Sequence, residues 1–110
     1  MARKEFEFTD DSWSDYKDSC ARYNVFTANL AGKPEMYELV AQQEGSEGFL
    51  TTYRDNKTTV ALSIEAGGSD DRTLVALVGD KNRLNETLER LKTAVPRIFN
   101  FKPWKDKKKK

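Results

Sequence analysis

Hydrophobic and polar residues alternate in short blocks along this chain, and the period of the alternation changes several times. Lys4–Phe8 has period two, with Lys4, Phe6 and Phe8 on one face and Glu5 and Glu7 on the other, the pattern of a short strand. Thr9, Asp10 and Asp11 then offer N-cap groups and early negative charge for a helix. Trp13, Tyr16, Cys20 and Tyr23 recur at helical spacing, Phe26 or Thr27 and then Leu30 extend the stripe, and Gly32-Lys33-Pro34 stops it.

Period two returns in the next stretch. Met36–Gln42 sets Tyr37, Leu39 and Ala41 against Met36, Glu38 and Val40, and Gln43–Gly48 reads as a turn. Phe49–Arg54 sets Phe49, Thr51 and Tyr53 against Leu50, Thr52 and Arg54. Asp55-Asn56-Lys57 predicts a tight hairpin, because Asn and Asp tolerate left-handed backbone angles. Thr58–Glu65 directs Val60, Leu62 and Ile64 inward, and Gly67–Asp71 is loop-like. Thr73–Val78 is nearly all apolar, which predicts a central strand or one covered on both faces.

A second helix follows. Asp80 or Asn82 can cap it, Leu84, Leu88, Leu91 and Val95 form one continuous stripe, and Pro96 ends it. Arg97–Lys102 alternates again and predicts a short final strand beside Lys4–Phe8. A sheet with one apolar face must cover it. The expected fold is therefore α+β: an antiparallel meander of about four to six strands covered by two helices, in the order β-α-β-β-β-β-α with a short closing strand. Leu62, Ile64, Leu84, Leu88 and Leu91 are expected to share the core.

Composition narrows the class. The 110 residues read as one compact domain over 1–101 and a basic, disordered tail over 102–110. Six of the 19 basic residues and one of the 18 acidic residues lie in Lys102–Lys110, a local charge of +5. The remaining 13 basic and 17 acidic residues give the body a net charge of −4. No apolar run approaches the ~18–20 residues of a transmembrane helix, which argues against an integral membrane protein. The first residues lack the apolar stretch of a secretory signal, so an intracellular location, cytoplasmic or nuclear, is expected.

The chemistry available is limited. Histidine is absent, which removes the commonest general base at neutral pH and the commonest zinc ligand. Cys20 is the sole cysteine, cannot form an internal disulfide, and lies in the apolar stripe between Tyr16 and Tyr23, the setting of a packed thiol. Asp10/Asp11 and Asp70/Asp71 lack the ligand spacing of a calcium loop. Gly32-Lys33 lacks the first glycine and the hydroxyl of a P-loop, and Gly67-Gly68 lacks the spacing of a dinucleotide fingerprint. The sequence thus predicts a protein that is not an enzyme and has no catalytic residues, no metal ligands and no cofactor.

Two surfaces are candidates for binding. In the C-terminal segment, Lys102, Lys105, Lys107, Lys108, Lys109 and Lys110 can neutralise phosphates, and Trp104 can stack on an unpaired base. RNA or DNA is the partner that this chemistry suggests, with an acidic protein or an anionic membrane surface as the alternatives. The second candidate is a polar sheet face carrying Thr51, Tyr53, Arg54, Thr59 and Ser63, with Tyr53 and Arg54 as its principal contacts. The run TTYRDNKTTVALSIEAG at 51–67, followed by LNETLERLKTAV at 84–95 and the lysine-rich end, resembles in pattern the small Alu-RNA-binding proteins of the signal recognition particle. That resemblance implies RNA binding; Glu38 and Glu65 on the strands depart from a basic RNA-binding sheet. The expectation is a non-enzymatic binding module, associated with nucleic acid through its lysine tail. The alternative is a protein-interaction or inhibitor module, including a homodimer, that uses a sheet face or edge.

Overall fold

The computed structural model describes residues 1–9, 19–45, 48–67, 72–95 and 100–103. They form strand β1 (Ala2–Thr9), helix α1 (Ser19–Ala31), strands β2 (Tyr37–Gly45), β3 (Gly48–Asp55), β4 (Ala61–Gly67) and β5 (Arg72–Gly79), helix α2 (Leu84–Ala94) and strand β6 (Asn100–Pro103). The six strands make one sheet in the order β2-β3-β4-β5-β1-β6, antiparallel throughout. The α+β class, the element order and the pairing of the last strand with the first are as the sequence predicts. Because β6 runs to Pro103 and Lys102 pairs with Glu7, the folded body extends two residues past the expected boundary at 101.

Both helices pack on the same face of the sheet. From β1, β4 and β5 that face receives Phe6, Leu62, Ile64, Val75 and Leu77, all buried. From α1 it receives Tyr23, Phe26 and Leu30, at helical spacing. At α2 the buried stripe is Leu84, Thr87, Leu91 and Ala94, continued by Val95 after the helix. This is a rotation from the expected leucine stripe: Leu88 is only half-buried, and Thr87 is fully buried in its place. A threonine fits there because its hydroxyl lies 2.7 Å from both the Thr58 hydroxyl and the Arg83 carbonyl. Cys20 is half-buried at the start of the described helix, more open than a core thiol. Asp80 caps the single 3₁₀ turn Lys81–Arg83 that precedes α2, its side chain accepting from the Asn82 N–H at 2.9 Å.

The β3–β4 connection is held by a buried carboxylate. Asp55 is fully buried and accepts from the Lys57 and Thr58 N–H groups and from Arg90 Nε of α2 at 2.8 Å. One side chain thus closes the turn and pins it to the helix. The turn is longer than the predicted Asp55-Asn56-Lys57 hairpin, and its left-handed residue is Thr59, with φ 62°. That conformation is costly for a β-branched residue and persists where surrounding bonds impose it. Here the Thr59 N–H donates to the Asp55 carbonyl at 2.8 Å, and the Asp55 N–H donates to the Val60 carbonyl at 3.0 Å.

Beside this cluster lies Tyr37, which is 2 % exposed and whose hydroxyl has no hydrogen-bond partner among the described residues. Burial, reinforced by the nearby Asp55 carboxylate, pushes its hydroxyl up to about 12.

Candidate interaction surface

Side chains alternate across a strand, so each strand that sends one set of residues to the helices sends the other set to the opposite face. Directly paired residues of neighbouring strands share a face, and the register therefore reads off the opposite face in rows. The central row runs Glu5, Ala76, Ser63, Thr52, Ala41 from β1 to β2. One flanking row runs Arg3, Val78, Ala61, Arg54, Glu38, and the other Glu7, Leu74, Glu65, Leu50, Gln43. No described helix packs against these rows: the described side-chain bonds and ion pairs from α1 and α2 to the sheet and the β3–β4 turn go to Lys4, Thr51, Thr73, Asp55, Lys57 and Thr58.

The middle of this open face is polar at Ser63 and Thr52, and apolar side chains stand around it. Leu50, Leu74, Val78 and Ala61 are half-buried, and Ala76 sits at 6 % exposure between Leu74 and Val78. Charges form its border. Arg54 Nη2 donates to Glu38 Oε1 at 2.8 Å, and Arg3 Nε donates to Glu5 Oε2 at 2.7 Å, both exposed pairs on neighbouring positions of the face. Thr52 and Ser63 hydroxyls lie 3.4 Å apart across the β3–β4 pair. Two arginines against four glutamates give the positions contributed by β1 to β5 a net charge of −2, before Lys102 of β6, the strand partner of Glu7, is counted. That sign is wrong for a surface that gathers phosphates.

The structure redistributes the sequence-predicted contacts. Arg54 lies on the open face, as expected. Tyr53 does not: it is 5 % exposed and points to the helices, because the β3 residues on the open face are Leu50, Thr52 and Arg54. Burial raises the pKa of its hydroxyl. Thr51 is likewise buried and shares a hydrogen bond with Tyr23. Thr59 belongs to the turn rather than to a strand, and Ser63 is on the open face. Lys102 is a backbone partner of Glu7 in β6. Trp104, Lys105 and Lys107 to Lys110 lie outside the described residues, as do the Asp10/Asp11 and Asp70/Asp71 pairs.

The features that sequence reasoning missed are Leu50, Leu74 and Val78. For Leu74 and Val78 the signal was the apolar run Thr73–Val78, read as a central strand or one covered on both faces; it is a central strand, and among the described elements it is covered on one face.

Two smaller features adjoin this face. Strand β2 is one edge of the sheet, and its Leu39 and Val40 are 48 % and 50 % exposed. Its register shifts between Leu39 and Ala41, so these two residues, expected on one face, lie on opposite faces, with the bulge at Val40. A bulge kinks an edge and blunts its extension by a further strand. On the helix-covered side of the sheet, a shallow open pocket of about 230 Å³ is lined by Tyr23, Gln42, Gln43, Glu44 and Phe49, with Tyr23 and Phe49 stacked at 5.4 Å. It is smaller than the roughly 300–1,000 Å³ usual for small-molecule sites.

No family model, curated protein or solved structure matches the chain, so the pattern-level likeness to Alu-RNA-binding proteins gains no support.

Proposed function

We propose that this protein is a non-enzymatic interaction module that takes a protein partner on the open face of its sheet. The observation that carries this reading is β5: apolar on both faces, central in the sheet, and covered by described elements on one side only. Half-buried apolar side chains interspersed with polar and charged ones suit a protein-binding patch. The acidic balance of the same face weighs against a nucleic acid there.

The test is affinity capture with purified wild-type protein and the face variants Leu74→Asp and Ala76→Arg, each with and without nuclease. Protein capture that survives nuclease and disappears in both variants is the expected result. Capture that vanishes with nuclease, or that the variants leave intact, overturns it.

A second reading has its own observation, the +5 charge of Lys102–Lys110 against the −4 body. In that reading Lys105 and Lys107 to Lys110 anchor the protein to RNA or DNA, and Trp104 stacks on a base.

A further inference from the structure

The β2 edge and the pocket beside it make one site, and we propose that it takes an extended basic segment of a partner protein by strand addition. This site is separate from the open face, and neither reading depends on the other.

Strand β2 ends the sheet, so one of its sides carries backbone N–H and C=O groups that no described strand pairs. Every residue of β2 after Tyr37 is exposed. The main chain of a further strand is the partner that satisfies such an edge, and the side chains along it set which strand fits. The bulge at Val40 interrupts the ladder, so a new strand is confined to the regular stretch 41–45 and the Leu39 position next to the bulge.

The register states what that segment carries. Glu44 pairs with Phe49, Gln42 with Thr51 and Leu39 with Tyr53, so Glu44, Gln42 and Leu39 stand on the helix-covered side of the sheet. A strand laid antiparallel along β2 sets three alternate residues beside Glu44, Gln42 and Leu39 in turn. Glu44 is exposed and has no ion pair among the described residues, whereas Glu38 on the other face is already held by Arg54 at 2.8 Å. Leu39 is 48 % exposed. The residue beside Glu44 is therefore basic, and the one four positions on, beside Leu39, is apolar.

The pocket receives the basic side chain. It is lined by Tyr23, Gln42, Gln43, Glu44 and Phe49, and its 230 Å³ suit one long side chain better than a whole small molecule. The stacked rings of Tyr23 and Phe49 offer an apolar wall to a methylene stem. The Tyr23 hydroxyl is already engaged by Thr51, which leaves the Glu44 carboxylate and the glutamine amides to meet the charged head. A few main-chain bonds and one exposed ion pair make a weak contact, with a dissociation constant on the order of 0.01–1 mM.

The experiment titrates the isotope-labelled full chain with the blocked peptide Thr-Lys-Thr-Thr-Thr-Leu-Thr, to about 5 mM, and follows the amide signals by NMR. Saturable shifts should centre on residues 41–45 and reach Tyr23 and Phe49, and alternate β2 amides should gain protection from solvent exchange. Glu44→Lys, an exposed change checked by circular dichroism, should weaken binding about fivefold, and a peptide with Glu in place of Lys should prefer this variant to wild type. Leu39→Asp should weaken the lysine peptide as well. No saturable shift over the range overturns the site, and so does binding that ignores both the Glu44 variant and the reversed peptide. Shifts centred on Leu74 and Val78 overturn it in favour of the open face. The open-face reading is judged separately by the capture experiment, whose variants lie off this edge.

Discussion

The two faces of the sheet are built from the same strands, yet they are organised differently. The covered face is made of large side chains, Phe6, Leu62, Ile64, Val75 and Leu77, closed by two helices and locked at one end by the Asp55–Arg90 pair. The open face has small residues down its middle and larger ones beside them, with charges around the rim. Buried area on the first face stabilises the fold; exposed area on the second does nothing for the monomer. At β5, which is apolar on both sides, what separates the core face from the open face is the presence of described helices above it.

The sharpest way to break this contrast is to damage the lock on the covered face. Asp55→Ala leaves Arg90 and two turn N–H groups without their acceptor, and should cost about 3–5 kcal/mol in urea unfolding. Leu91→Ala, at a position with no exposure, should cost about 2–5 kcal/mol, and Leu88→Ala, half-buried on the same helix, about half as much. Equal costs for the two leucines would mean that α2 sits on the sheet in the orientation of the simple leucine stripe.

Tyr37 adds a pH signature to the covered face. Its hydroxyl titrates near 12 when folded and near 10 when unfolded. Between those values the unfolded chain loses a proton that the folded chain keeps. Stability is therefore fully present below pH 10 and falls as pH rises towards 12, by on the order of 1 kcal/mol per pH unit. Tyr37→Phe removes a buried hydroxyl that has no described partner, so it should keep or raise stability at pH 7 and remove this slope. A variant that is clearly less stable at pH 7 would reveal a partner for that hydroxyl.

On the open face the expected stability effects are small. Leu74→Ala and Val78→Ala should cost about 1 kcal/mol or less in stability while weakening protein capture by this face. The smallest effect belongs to the C-terminal segment. Deletion of 104–110 should change stability by no more than about 0.5 kcal/mol. If the tail anchors nucleic acid, the same deletion should flatten the salt dependence of RNA or DNA binding by about 0.7–0.9 for each phosphate that the lysines no longer neutralise. Equal binding by full-length and truncated protein would remove the nucleic-acid reading and leave the sheet face alone.

Much of the fold was legible in the sequence because it depends on local periodicity. The period-two runs and the heptad-like spacing of α2 specify strands and a helix whatever surrounds them, and short connections between strands leave few alternatives to a meander. Even the return of Asn100–Pro103 beside β1 follows from two short alternating runs at opposite ends of the chain. The failures came where a single residue changes a face. One bulge at Val40 moved Ala41 and the residues after it to the other side of β2, which a strict alternation cannot foresee. Thr87 was passed over because it is polar, although a partner 29 residues earlier in the chain satisfies it.

Side-chain pattern along a few residues was enough to set the α+β class, the order of elements and the doubly apolar character of β5. Which of its faces the helices cover was settled by long-range packing. That choice depends on pairing register and on contacts between residues far apart in the chain, such as Arg90 with Asp55. Periodicity distinguishes one side of a strand from the other; it does not say which side will be covered, and so Tyr53 became core while Leu74 and Val78 became surface.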